Sequence, residues 1–164
     1  ERMYQEYCTF WTPARKQKAS EIPFTQSEVI TLASIVDGES NSNTEKPIIA
    51  GLYLNRIKRG MPLQADPTVK YALGNFHIKR VLNSHLAIDS PYNTYKYPGL
   101  PPGPINFPEI SSIESVLNAA KTQYIYMCAR EDFSGYHNFA KTLSAHNENA
   151  RKYREALNAH DIMQ

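Results

Sequence analysis

The sequence predicts an α+β fold, several helices packed with a small antiparallel β-sheet and a long Pro/Gly-rich loop region. Three observations predict it. Apolar residues recur at helical spacing in two stretches, residues 29–39 and 48–58. Two short apolar runs, residues 124–129 and 136–140, flank the turn 131–135 as the strands of a hairpin would. Between these parts, residues 61–110 hold no sustained period and many prolines and glycines, a loop length that in a compact domain usually carries function.

Residues 3–19 mix Tyr4, Tyr7, Phe10 and Trp11 with Arg15, Lys16 and Lys18, and read as a lead-in helix broken at Pro13. We assign residues 1–22 to this lead-in or linker and 23–164 to the main domain. The motif Thr25-Gln-Ser-Glu28 is a capping box and starts the next helix. Along it Val29, Leu32, Ala33 and Val36 form one stripe. Glu39 falls on the same stripe, within about 20° of Leu32 at 3.6 residues per turn. Asp37 points to the flank. A carboxyl group at the last turn of a core-facing stripe bends out to solvent, meets a cation, or stays protonated through desolvation. Only the last makes a general acid.

Pro47 opens the next helix, residues 48–58, with Ile49, Leu52, Tyr53 and either Ile57 or Arg56 facing inward, and Gly60 stops it. A short helix follows Asp66-Pro67, with Asp66 as its cap, and another is expected near residues 78–82. Residues 112–120 read as a helix, and the last helix spans about 144–160.

Composition narrows the function classes. A net charge of +2 gives no case for nucleic acid or for strong membrane attraction. Eleven Tyr against one Trp and six Phe suit ring-stacking ligands such as sugars, and equally a loop-rich domain. Cys8 and Cys128 match no metal or redox spacing; their pairing stays open, and Cys128, in an apolar run, reads as a small buried residue. No stretch is long and apolar enough to span a bilayer. The chain opens at Glu1 rather than Met, and we read it as part of something longer.

Four loop motifs supply candidate ligand contacts. Gln64 offers an amide donor and acceptor to a sugar hydroxyl or acetamido group, beside Asp66. Asn93 and Tyr95 precede the stiff segment Gly99-Leu-Pro-Pro-Gly-Pro104, which would hold them in a groove or serve as a rigid connector. His137 and Phe139 share one face of a strand. His146 and Asn147 open the last helix. His137 and His146 lack a third ligand at metal spacing, so no metal and no cofactor is expected.

Several stretches together resemble the YceG-like family, the endolytic murein transglycosylases also called MltG. They are Leu32-Ala-Ser-Ile-Val-Asp-Gly-Glu39, Ile48-Ile-Ala-Gly-Leu-Tyr-Leu-Asn-Arg56, Gly60-Met-Pro-Leu-Gln-Ala-Asp-Pro-Thr-Val69, Asp89-Ser-Pro-Tyr-Asn-Thr-Tyr95, Gly99-Leu-Pro-Pro-Gly-Pro-Ile105 and Lys141-Thr-Leu-Ser-Ala-His-Asn147. The likeness runs from about residue 24 to 156 with the motifs in order. It implies a bacterial enzyme of the inner membrane, anchored by an N-terminal helix upstream of Glu1, acting on peptidoglycan glycan strands on the extracytoplasmic side. Cell-wall synthases (penicillin-binding proteins) are its implied partners.

The family's catalytic acid falls on Glu39. The implied reaction is lytic: the bond between N-acetylmuramic acid and N-acetylglucosamine is cut, a 1,6-anhydro end forms, and strand elongation is terminated. Gln64, Asp66, Asn93, Tyr95, His137, Phe139, His146 and Asn147 are the expected substrate contacts. The sequence departs from the family at Asp37 (usually Glu), at Gly38 (commonly Lys) and at Asn106-Phe-Pro-Glu109. Two other readings stay open, a lysozyme-type muramidase dependent on Asp66 and a peptidoglycan-binding module that does not cut.

Overall fold

A computed structural model describes residues 1–162. The elements run α1 (Arg2–Phe10), α2 (Pro13–Glu21), α3 (Gln26–Glu39), α4 (Lys46–Lys58), α5 (Asp66–Leu73), α6 (Ile110–Leu117), β1 (Tyr126–Ala129), β2 (His137–Ala140) and α7 (Leu143–Ile162). The α+β expectation holds: helices surround a core, and one antiparallel hairpin closes one side with Tyr126 opposite Ala140 and Ala129 opposite His137.

α3 is the axis of the fold. Thr25 Oγ1 accepts from the Glu28 amide at 3.1 Å and the Glu28 carboxylate accepts from the Thr25 amide at 3.3 Å, so the expected capping box is formed. The expected apolar stripe proves too narrow, because Ile35 is as buried as Val29, Leu32, Ala33 and Val36, all at 0% exposure. The reason is that α2, α4, α5 and α6 all pack on this one helix. Burying each of its Leu, Ile and Val side chains stabilises the fold by about 1.5–3 kcal/mol. Even its polar Ser34 is used: Oγ donates to the Thr31 carbonyl at 2.7 Å and accepts from the Ile105 amide at 3.0 Å, while Asn106 Nδ2 donates to the Ser34 carbonyl. These bonds pin the end of the proline-rich loop to α3.

α4 begins at Lys46, with Pro47 in its first turn where no amide donor is needed. Its buried face is Ile49, Leu52, Tyr53 and Arg56, so the inward position falls on Arg56, and Ile57 stays half-buried. Arg56 donates from Nε to the Ile125 carbonyl and from a terminal nitrogen to the Pro62 carbonyl, both at 2.7 Å, tying α4 to the hairpin and to the loop before α5. Gly51 meets the chain beyond α6 at close range; a Cβ there would lie 2.2 Å from the Ala120 carbonyl oxygen. The Ala120 amide donates to the Pro47 carbonyl at 3.0 Å, which explains why α6 stops at Leu117 rather than continuing to 120 as the sequence predicts.

Other boundaries differ too. Residues 78–82 are not helical, and a single 3-10 turn forms instead at His85–Ala87. The segment buries no apolar face that would stabilise a helix, and Leu82 is 53% exposed. β1 starts two residues later than predicted, although Tyr124 still packs against Phe139 with ring centroids 5.6 Å apart. α1 and α2 break at Trp11-Thr12, with Pro13 starting α2, and Trp11 at 3% exposure joins the same core as α3. Cys8 is exposed and Cys128 only partly buried, contrary to its reading as a core residue; both are free thiols. Among the described residues no helix is long and apolar enough to cross a membrane.

Candidate active site

α3 ends at Glu39, where Ser40 turns the backbone into an extended conformation and leaves the Glu39 side chain at the wall of a cleft. The opposing helix supplies the partner. Tyr53, 1% exposed on α4, has a hydroxyl that must find a hydrogen bond inside the protein, and it donates to Glu39 Oε1 at 2.8 Å. Burial raises the Tyr53 phenol well above its usual range, with the Glu39 charge adding to it, so the proton stays on tyrosine. Glu39 Oε2 makes no protein hydrogen bond among the described residues.

Burial pushes the Glu39 carboxyl up to about 7, against the lowering effect of the Tyr53 bond. Asp66 adds to the rise, while His137 and Lys70 oppose it. No cation among the described residues contacts the group directly. A carboxyl in this state is a proton donor near neutral pH.

The cleft has a volume of about 490 Å³. Gln64, Asp66, Tyr95, His137, His146 and Asn147 all line it together with Glu39, so six of the eight predicted contacts converge on one space. Gln64 holds a left-handed backbone, φ +53°, a conformation that costs a non-glycine residue about 1–2 kcal/mol. Its amide donates to the Thr94 carbonyl at 3.2 Å, and the neighbouring Ala65 amide donates to Thr94 Oγ1 at 2.9 Å, which fixes the strained turn.

Asp66 is not the cap of α5. Ala65 occupies that position without a side-chain bond, and the Asp66 carboxylate instead accepts a short hydrogen bond from the Tyr95 hydroxyl. Burial and Asp66 raise the Tyr95 phenol far above its usual range, so this proton also stays on tyrosine.

Two predicted contacts are structural. Asn93 is fully buried; its Nδ2 donates to the Leu86 and Ile88 carbonyls at 2.9 and 2.8 Å, and its Oδ1 accepts from the Tyr95 amide at 3.0 Å. With both amide hydrogens used and no exposed surface it is out of reach of a ligand, and it acts as the staple that places Tyr95. Phe139 packs into the core beside Tyr124 and does not line the cleft.

The far wall is aromatic. The Tyr126 ring has the Arg56 guanidinium 5.4 Å from its centroid and the His146 imidazole stacked on it at 5.0 Å and 18°. His146 Nδ1 is buried without a hydrogen bond, and burial with the nearby Arg56 charge lowers its pKa, which keeps the ring neutral. His137 is held by a residue the sequence reading missed. Glu45, just before α4 and 6% exposed, accepts from the His137 amide at 2.8 Å and pairs with its Nδ1 at 2.9 Å. Tyr53 was legible as an inward-facing hydroxyl that needed a partner; Glu45 carried no local signal. Glu39 also borders a second cavity of about 380 Å³ with Asn41, Ser42 and Tyr136, so it stands between two open spaces.

An α+β domain with a desolvated carboxyl between two cavities defines a class of site built around a proton donor. Comparison with known proteins gives the family. The sequence model of the YceG-like family matches residues 1–152, and the chain belongs to that family. It is 42% identical over 150 residues to an endolytic murein transglycosylase of Bacillus subtilis, covering 92% of this chain and 39% of that protein. The endolytic murein transglycosylase of Streptococcus pneumoniae serotype 2 is 39% identical over 109 residues, 64% of this chain and 20% of its own. A crystal structure of a yceG-like protein from Listeria monocytogenes superposes with a TM-score of 0.75 at 39% identity, covering 81% of this chain and 43% of that one. The chain therefore spans about two fifths or less of the relatives it matches.

Proposed function

We propose that this chain is the catalytic part of an endolytic peptidoglycan transglycosylase, with Glu39 as its acid. The observation that carries the reading is the Glu39 carboxyl, pushed up to about 7 by burial and bonded through Oε1 to a hydroxyl that keeps its own proton. That leaves Oε2 to hold the transferable proton. Glu39 protonates the glycosidic oxygen between N-acetylmuramic acid and N-acetylglucosamine as the C1–O bond breaks. The C6 hydroxyl oxygen of the muramic residue closes onto C1, giving the 1,6-anhydro end, and the proton it loses returns to the Glu39 carboxylate.

Cavities on both sides of Glu39 support cleavage within a strand, since a glycan can extend both ways from the scissile bond. The relatives' names as endolytic murein transglycosylases support the substrate. A hydrolase needs a second carboxylate to act as nucleophile or to activate water. Asp66 is the candidate in this cleft, and its engagement with Tyr95 favours the lytic reading. Strand termination beside cell-wall synthases, at the extracytoplasmic face of the inner membrane, completes the proposal.

The test is mass spectrometry of peptidoglycan treated with the chain, with Glu39→Gln and with Asp66→Asn. Anhydro ends from the parent and Asp66→Asn but not from Glu39→Gln are the expected result. Water-terminated ends that require Asp66 would turn the reading to a muramidase, and glycan binding without cleavage by the parent would turn it to a binding module.

A further inference from the structure

Glu45 and His137 form a buried pair that the acid chemistry of Glu39 does not account for. Glu45 lies just before α4 and His137 opens β2, so the fold spends a long-range contact on joining them. One carboxylate oxygen takes the His137 backbone amide at 2.8 Å and the other meets the ring Nδ1 at 2.9 Å. The backbone bond fixes where the carboxylate sits. Because a carboxylate only accepts, Nδ1 carries the hydrogen, which in the neutral ring leaves the lone pair on Nε2. Nε2 has no protein partner among the described residues, and His137 lines the same cleft as Glu39. A carboxylate that holds an imidazole in one tautomer, with the free nitrogen facing a hydroxyl-bearing ligand, is the arrangement that lets histidine accept a hydroxyl proton.

Resting on the transglycosylase reading above, we propose that His137 is the base for the attacking hydroxyl and that Glu45 is its positioning residue. As the Glu39 proton moves to the leaving oxygen and the C1–O4 bond breaks, O6 bonds to C1 and the O6–H proton passes to His137 Nε2. The imidazolium then gives that proton to the Glu39 carboxylate, directly or through one water, and both groups return to their starting states. The Glu45 carboxylate balances the imidazolium while it exists.

Glu45→Gln tests this cleanly. The amide oxygen can still take the His137 backbone amide, while its NH2 group donates to Nδ1, so both bonds survive and the tautomer inverts to Nε2–H. The expected result is a fall in kcat of about a hundredfold or more with KM within about twofold, on defined uncross-linked glycan strands. The ¹⁵N chemical shifts of the His137 ring should exchange their protonated and unprotonated positions, and the thermal midpoint should hold. His137→Gln, which removes the base but keeps Glu45 and its bond to the backbone amide, should lose kcat to a similar degree. An active parent whose Glu45→Gln variant shows the inverted tautomer and unchanged kcat overturns the relay while leaving the transglycosylase reading intact. So does an active His137→Gln variant. A parent that produces no anhydro ends overturns the function reading and the relay with it.

Discussion

Two carboxylates two residues apart on the last turn of α3 live in opposite surroundings. Asp37 accepts from Ser112 Oγ at 2.6 Å and from the Glu109 amide at 3.3 Å, and the Lys46 ammonium stands 3.6 Å away. Its charge is compensated by the start of α6 and by a buried lysine. Glu39 faces the cleft with only a tyrosine hydroxyl in contact and with another carboxylate, Asp66, near enough to disfavour its charge. The same helix turn thus carries one carboxylate faced by a lysine and one carboxyl without a cation in contact, and what separates them is where the fold places the buried Lys46 ammonium. On the function proposed above, the lesson is that an acid is made by withholding a counter-ion.

The largest effect expected from breaking this contrast is at Glu39 itself. Glu39→Gln keeps the shape and the Tyr53 bond but has no proton to give, so product formation should fall by about a thousandfold or more while the fold persists, as read by muropeptide mass spectrometry and circular dichroism. Stability should separate the two proteins with pH. The Glu39 pKa is raised to about 7 in the folded state, so its contribution is fully present below about 4.5 and is lost as pH rises through 7, by roughly 3 kcal/mol relative to Glu39→Gln. Urea titrations at pH 4 and pH 8 would show this difference or its absence.

Lys46→Met attacks the other half. Lys46 has 2% side-chain exposure and also contacts Glu109 at 3.2 Å, but Asp37 and Glu109 keep 22% and 72% exposure, which softens the loss. A cost of about 2 kcal/mol is expected, and less when Asp37→Asn has already removed the charge that Lys46 faces. Equal losses in both backgrounds, read by urea titration, would mean that packing, not charge, is what Lys46 supplies.

Smaller shifts refine the electrostatics of Glu39, which is faced by Tyr53 from α4, by Asp66 and Lys70 from α5 and by His137 from β2. Asp66→Asn removes a neighbour that raises its pKa, so the alkaline limb of the rate profile should move to lower pH while activity stays within about tenfold. Tyr53→Phe removes a donor that favours the charged form, so the limb should move the other way. Limbs that move together, or not at all, would show that the profile reports some other group.

Local patterns made α3 legible, because a capping box at Thr25 and helical spacing along the fourteen residues of the helix need no partner to be read. The placement of Glu39 followed from the same spacing, while the loop motifs and the family resemblance pointed to Gln64, Asp66, Tyr95, His137, His146 and Asn147, which line the cleft with it. What escaped depends on contacts that no local pattern shows. Asn93 looked like a ligand contact because the Leu86 and Ile88 carbonyls that take its amide, seven and five residues back, lie in a loop with no regular period. Asp66 looked like a cap because an acid before proline at a helix start commonly is one, and only the position of Tyr95 diverts it. Glu45 was invisible for the same reason, since its partner His137 lies 92 residues away.

The central claim is that Glu39 carries a proton near neutral pH, and the direct measurement is a titration of its side-chain carboxyl carbon by ¹³C NMR, assigned by comparison with Glu39→Gln. The account predicts a midpoint near 7. A midpoint at the ordinary glutamate value, about 4.3, would contradict it.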